Sequence, residues 1–456
     1  MSNSKYKQKH HKPYSGNKSY KVKHHSHSSA DSFKSISKII TSTTLGNSLE
    51  WFEYTLYAYF ASVIGSNFFP ATSSHISFLM TFCVFFVGFV ARPFGGLIFG
   101  YIGDRVGRKS VLSASILLMA IPTGLIGILP SYQTIGIAAP LIMILLRILQ
   151  GLSVGGEFST SIVYLTESAP RGKRGFVGSF SIASVGIGFL MSIITVAIIE
   201  ATFTKEQVHS YAWRIPFIAC FSVGILGFYI RKHLPESNDY QKIQNKHLKQ
   251  RHPLGQLFAN HFINLILAVF IFAAGAVSIY TFGLFAKTML SSVLSFSIFE
   301  ANVMVILAMI AFVVAAFVSG YLADKINPLY LIIAGAFCVS FLTPFLLYNL
   351  SLLNFKISVT LYIILCSSIA FIQSPFAVFV VDLFPVNIRS TAVATVYSFI
   401  SIFFAGTAPI IAMQIIKSTS SVVALGYYIL PVCILTIISA VICNLRLKKS
   451  LLRYDD

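Results

Sequence analysis

The chain has 456 residues, 55% hydrophobic and only 11% charged, against about 25% charged in an average soluble domain. Its formal net charge is nevertheless +19, from 34 Lys and Arg against 15 Asp and Glu. So apolar a chain cannot keep its surface in water, which excludes an ordinary soluble enzyme, a disordered protein and a disulfide-stapled secreted domain.

Residues 1–38 are polar, rich in Lys, His and Ser, and read as a disordered basic tail without the apolar stretch of a signal peptide. Its His10-His11 and His24-His25-Ser26-His27 tracts are read as compositional, and no metal is expected. Beyond it, apolar runs of the ~20 residues that a spanning helix needs recur twelve times. They lie at about 39–66, 77–102, 110–130, 135–163, 176–200, 213–231, 261–286, 299–322, 329–350, 357–381, 392–416 and 422–445. A polar stretch, 232–259, divides them into six and six. The expected organisation is therefore a tail (1–38), a six-helix lobe (39–231), a middle loop (232–259), a second lobe (260–446) and a polar end (447–456). The runs are too long and too continuous for a membrane β-barrel. All six cysteines (83, 220, 338, 366, 433 and 443) sit in apolar runs and read as small buried hydrophobes.

Basic residues orient the chain. With the N-terminus in the cytoplasm, 27 of the 34 Lys and Arg fall in cytoplasmic segments, five lie outside (Lys205, Arg214, Lys287, Lys356, Lys417), and two, Arg92 and Arg147, fall within spans. The positive excess is thus a topology signal facing anionic lipid headgroups, not a nucleic-acid footprint. Both termini are expected in the cytoplasm.

Five charges remain inside the membrane, where charge is expensive and marks an aqueous path or a partner. The first span carries Glu50, Trp51, Glu53, Tyr54 and Tyr57, with both carboxylates and both tyrosines on one helical face. Like charges one turn apart do not both ionise cheaply, as a proton carrier requires. The second span supplies Arg92, a natural partner for Glu50 or Glu53, or for a substrate carboxylate. On the fourth span, Arg147, Gln150, Val154, Glu157 and Ser161 form one stripe, with Arg147 and Glu157 ~15 Å apart along the axis and so not a direct pair. Trp51, Phe52, Tyr54 and Tyr57 could cage a quaternary ammonium by cation–π contact, or simply pack helices. Gln373 and Pro375 lie mid-span in the tenth run, where Pro can kink the helix.

Two patterns recur half a chain apart. Gly100-x-x-x-Asp104-Arg105 is echoed by Gly320-x-x-x-Asp324-Lys325, and Glu167-x-x-Pro170-x-x-x-Arg174 by Asp382-x-x-Pro385-x-x-x-Arg389. Both fall at the cytoplasmic ends of equivalent spans. This argues for two parallel, pseudo-symmetric lobes with a midplane site between them. Asp104, Arg105, Arg108, Glu167, Arg174, Asp324, Asp382 and Arg389 are then the expected cytoplasmic gate. No GxSxG, HExxH or Walker loop appears in a soluble-facing segment, so neither an enzyme nor an ATP-driven pump is expected.

The loop Gly100-Tyr-Ile-Gly103-Asp104-Arg105-Val-Gly107-Arg108-Lys109 resembles the signature of the major facilitator superfamily. The second-half copy ends in Ile326-Asn327-Pro328 and lacks the Gly-Arg-Lys part, so a weaker gate contact is expected there. Together with Asn47–Glu53, Arg92-Pro93-x-Gly95-Gly96, Gln150-Gly151-x-Ser153-x-Gly155-Gly156-Glu157, Trp213-Arg214-Ile215-Pro216-Phe217 and Gly406-x-Ala408-Pro409, residues 40–445 are similar to the metabolite:proton symporters, and among these to the proline/glycine-betaine group. The resemblance implies an all-α fold of twelve transmembrane helices in two six-helix lobes, and multi-pass insertion in a bacterial inner membrane. It implies proton-coupled uptake of a small polar solute by alternating access, with no cofactor; a monomer is expected, and a dimer stays open. Glu53, Glu50 and Glu157 would carry the proton. Arg92, Arg147, Trp51, Tyr54, Tyr57, Gln150 and Gln373 would hold the solute. Glu53 stands where the family often has Asp, and the long C-terminal coiled coil of osmosensing members has no counterpart before Asp456. Uptake of a di- or tricarboxylate, or a transporter-like receptor that binds without moving its ligand, stays open at this stage.

Overall fold

The structure is a computed structural model that describes residues 29–71, 73–106, 108–232, 253–386 and 388–452; side chains are described outside 29–35, 74, 100–114, 448–452 and a few positions between 223 and 232. Among the described residues, twelve long helices run back and forth: α1 Ser29–Tyr59, α2 Ser74–Val106, α3 Arg108–Ile128, α4 Ala138–Ser168, α5 Arg174–Thr202, α6 Arg214–Lys232, α7 Phe262–Ile279, α8 Ile298–Ala323, α9 Pro328–Ser351, α10 Phe355–Leu383, α11 Arg389–Ile400 and α12 Leu425–Leu452. Wider π-type turns carry α7 on through Tyr280–Leu284 and α11 through Ser401–Ala405, after which Ala408–Thr419 completes the eleventh crossing.

Every expected span is a helix, and the differences lie at the ends. Helix α1 begins at Ser29, ten residues inside the stretch read as a disordered tail. No Pro or Gly interrupts residues 29–45, so nothing in the backbone stops the helix earlier. The middle loop likewise contains a helix, Pro253–Asn260. Among the described residues, nine helices are both long and apolar enough to cross a membrane unaided. Helix α1 is not among these nine; it carries Asn47, Ser48, Glu50 and Glu53 on buried positions.

Packing follows the two-lobe plan. In the first lobe α2 lies against α4, α3 against α6 and α1 against α5; in the second α8 and α9 lie against α10, and α7 and α9 against α12. Across the lobes, α5 meets α8 and α10, and α4 meets α11. The α2–α4 contact is backbone to backbone. A Cβ at Gly155 would sit 1.9 Å from the Arg92 carbonyl oxygen, one at Gly151 2.0 Å from that of Gly88, and one at Gly95 1.9 Å from that of Leu152. Small residues four apart let membrane helices approach this closely, and here the approach fixes Arg92 relative to the fourth helix. Arg214 donates to the carbonyls of Gly127 (3.0 Å) and Leu129 (2.6 Å) and ties α6 to the end of α3.

Candidate functional site

A cavity of about 50 Å³ lies between the lobes. Trp51, Arg92, Phe158 and Ser159 line it from the first lobe, and Phe272, Tyr280, Gln373, Tyr397, Ser398 and Ser401 from the second. Arg92 is its charged residue: Nη1 donates to Ser401 Oγ at 3.4 Å, across the lobe interface. Its guanidinium carbon stands 4.1 Å from the Phe89 ring centroid, 4.8 Å from Tyr54 and 5.5 Å from Trp51. Beside these ring faces, the Glu50 carboxylate of α1 acts electrostatically on Arg92. Its Nε and Nη2, the Trp51 indole Nε1 and the Tyr397 hydroxyl are buried without a hydrogen-bond partner in the protein. Buried donors normally find partners, so four unused polar atoms on residues around one cavity mark where a ligand's acceptors belong.

The far wall is aromatic. Phe158 and Tyr397 meet edge to face across the lobes at 5.3 Å, and Phe272 meets Tyr397 at 5.4 Å. Gln373 donates through Nε2 to the Gly275 carbonyl at 2.9 Å, which fixes its amide beside the cavity.

The cage read from the first span forms differently. Of Trp51, Phe52, Tyr54 and Tyr57, only Trp51 lines the cavity. Tyr57 is already covered by the chain's own cation, Arg147, whose guanidinium carbon lies 3.6 Å from its ring centroid. Tyr54 is shared between Arg92 and Arg147. The tyrosine face of α1 is turned into its own lobe, against α2 and α4, and a ring face occupied by a guanidinium is closed to a ligand cation.

Behind the cavity runs a buried polar chain. Arg147 Nη1 donates to Gln150 Oε1 (2.8 Å), Gln150 Nε2 to Thr123 Oγ1 (2.6 Å), and Thr123 Oγ1 to Glu53 Oε2 (3.1 Å). Glu157 lies further along the stripe of α4, as its spacing predicts, and accepts a short hydrogen bond from the Ser115 hydroxyl. Asn47 donates to Ser161 at 2.8 Å and ties α1 to α4. Glu50 is buried on the same helix as Glu53.

Two ion pairs cross between lobes at the end of the bundle where α4 passes into α5 and α10 into α11. Arg174 meets Asp382 at 2.5 Å and Arg389 meets Glu167 at 2.7 Å. Asp324 accepts from the backbone N–H groups of Gly175 (2.6 Å) and Phe176 (2.9 Å), placing its carboxylate on the N-terminus of α5, where the helix dipole favours an anion. The repeat motifs thus meet across the pseudo-symmetry. Asp104, Arg105 and Arg108 lie outside the described side chains.

The opposite end is also closed, by residues the sequence did not single out. Lys287, counted above among the outer basic residues, and Glu200 form a buried cross-lobe pair at 2.6 Å. Asn302 donates to the second Glu200 oxygen at 2.9 Å, and the Tyr59 hydroxyl donates to the Gly283 carbonyl at 3.0 Å. The available signal was opposite charges at the end of the fifth run and just beyond the seventh. Ion pairs thus join the lobes on both sides of the central cavity.

Comparison with known proteins agrees with this architecture. The family model described as Major Facilitator Superfamily matches residues 43–409. The proline/betaine transporter of Salmonella typhimurium is 30% identical over 418 residues, 89% of this chain and 82% of that protein. The glycine betaine/proline/ectoine/pipecolic acid transporter OusA of Dickeya dadantii is 28% identical over 428 residues, 91% of this chain and 84% of that protein. Among solved structures, the proton:xylose symporter XylE bound to 6-bromo-6-deoxy-D-glucose superposes with a TM-score of 0.71 at 17% identity, covering 90% of this chain and 95% of that chain, which is a likeness of fold. Helix count, lobe arrangement and relatives agree: this chain belongs to the Major Facilitator Superfamily and is a multi-pass membrane transporter of small solutes, not an enzyme.

Proposed function

We propose that the protein imports a small zwitterion of the proline or betaine type by proton-coupled symport, with alternating access about the cavity. The observation that carries this is the cavity's make-up: one arginine, unused donors beside it, an aromatic wall, and no acidic residue in the lining. One guanidinium matches one carboxylate bidentately. The ligand's ammonium, with no carboxylate in that lining, would be received by ring faces, which suit a quaternary or cyclic amine. A di- or tricarboxylate would bring one or two charges with no partner into a dry site, which is strongly unfavourable. The names of the two curated relatives support the same substrate class. Glu53, Glu50 and Glu157 are the coupling carboxyls of this reading, with Glu53 first because it ends the chain from Arg147. The basic end faces the cytoplasm, and both termini lie there.

The test is uptake into proteoliposomes with an imposed inward proton gradient, using labelled proline, glycine betaine, 2-oxoglutarate, citrate and shikimate. Saturable accumulation of a zwitterion is expected. Accumulation of 2-oxoglutarate or citrate alone would overturn the substrate class, and binding without any uptake would make the protein a receptor. Glu53→Gln is expected to reduce accumulation to simple equilibration, whatever the gradient; retained concentrative uptake would remove Glu53 from the coupling role.

In this reading Lys287–Glu200 is the outer lock. Removing one partner strands a buried charge, at a cost of about 3–5 kcal/mol, so the informative variant is the double neutral one, Lys287→Met with Glu200→Gln. It is expected to open the outer face, seen as faster labelling of Ser401→Cys, on a cysteine-free background, by a membrane-impermeant maleimide added outside. Unchanged labelling would show that the pair does not hold that face shut.

A further inference from the structure

The chain Arg147–Gln150–Thr123–Glu53 joins a buried cation to a buried carboxyl through two neutral side chains on different helices, α3 and α4. Its geometry contains a choice. The Thr123 hydroxyl has one hydrogen and two acceptors within reach: Glu53 Oε2 at 3.1 Å and the Met119 carbonyl at 2.8 Å. One of its lone pairs is taken by Gln150 Nε2 at 2.6 Å. With Glu53 ionised, the hydroxyl hydrogen points at the carboxylate, and all three donors run the same way, from the guanidinium towards the anion. Hydrogen bonds aligned in series polarise one another. With Glu53 protonated, its own O–H can donate to the free lone pair of Thr123, and the hydroxyl turns to Met119. Every group stays satisfied, but the chain loses its anionic end.

We propose that Thr123 and Gln150 form a relay that reports the protonation of Glu53 to Arg147, with Thr123 as the positioning residue of proton coupling. No covalent bond changes within the relay: a proton from solvent adds to the Glu53 carboxylate, and one hydroxyl rotates. The guanidinium of Arg147 stacks on Tyr57 at 3.6 Å and, with Arg92, on Tyr54, and Arg92 lines the cavity. A change in the hold on Arg147 therefore reaches the cavity through Tyr54, the ring that the two guanidiniums share. The groups set against this carboxyl are Thr123 on α3 and the titratable Glu157 on α4 and Cys220 on α6. Thr123 is the one among them whose hydroxyl joins Glu53 to the arginine.

The proposal rests on Glu53 as the coupling carboxyl, and the experiment separates the two. Thr123→Val keeps the side-chain shape and removes the hydroxyl; Thr123→Ser keeps the hydroxyl. Initial uptake of labelled proline and glycine betaine is measured in proteoliposomes from pH 5 to 8, together with the accumulation ratio under an imposed proton gradient. Thr123→Val is expected to lower the accumulation ratio at least fivefold and to flatten the pH dependence of uptake, and Thr123→Ser to restore both. Wild-type accumulation and pH dependence in Thr123→Val would overturn the relay, as would a Ser variant that behaves like Val. If Thr123→Val does not reach the membrane folded, Gln150→Met cuts the chain one link on and decides by the same readouts. Concentrative uptake by Glu53→Gln would instead overturn the premise.

Discussion

Arg92→Gln is expected to abolish concentrative uptake while leaving the folded protein in the membrane. Arg92 is the charge lining the cavity, and two of its nitrogens have no partner in the protein. Truncating one side of a buried, hydrogen-bonded charge pair costs about 2–5 kcal/mol, or roughly 30- to 5000-fold in apparent affinity. Arg92→Lys keeps the charge but loses the planar fork and the stacking on Phe89 and Tyr54, so it should recover only a small part of the activity. The measurement is the concentration dependence of initial proline and betaine uptake, with the amount of folded protein set by size-exclusion chromatography in detergent. A wild-type KM in Arg92→Gln would show that the solute's carboxylate binds elsewhere.

Gly155→Ala, a change of one methyl group, is expected to be among the most damaging small substitutions in the described part of the chain. The added Cβ would fall 1.9 Å from the Arg92 carbonyl oxygen and 2.7 Å from its carbon. Those are backbone atoms of α2, so relief cannot come from a side-chain rotation, and the two helices must part by more than an ångström. Overpacking a side chain costs about 1–3 kcal/mol; forcing two backbones apart also breaks the neighbouring contacts at Gly95 and Gly151, and the expected loss exceeds that range. Little monodisperse protein should be recovered from membranes, and what remains should transport poorly because Arg92 has moved with α2. Gly426→Ala is the control: a Cβ there meets nothing within 4 Å, and its expression and stability should match wild type. Equal recovery of both variants would mean that α2 and α4 do not cross as closely as described.

The candidate site was legible in part. Glu50, Glu53, Arg92, Arg147 and Glu157 stand out in the sequence because each interrupts an apolar run, and all five are buried in the structure. The stripe on α4 keeps its 3.6-residue logic, with Arg147 reaching Gln150 and not Glu157. Thr123 gives no such signal, since a lone threonine in an apolar helix usually bonds its own backbone, as Thr123 also does with Met119. Tyr397, Ser401 and Phe272 are equally silent, being ordinary residues in apolar runs more than 170 positions from Arg92.

The sequence by itself determined how many times the chain crosses the membrane and where, and that its two halves repeat. Each follows from local physics: a bilayer demands about 20 apolar residues per helix, and a repeated motif at one offset needs no coordinates to be seen. Only the tertiary structure decided which faces meet. Periodicity fixes which residues share a stripe on one helix, but not how that helix is rotated against its neighbours. Rotation turns Tyr54 and Tyr57 towards the chain's own arginines, sets Trp51 and Arg92 against Tyr397 and Ser401 of the other lobe, and brings the outer charges Glu200 and Lys287 into one buried pair. These are contacts between helices far apart in the chain, governed by close packing in three dimensions, and no pattern within a single helix encodes them.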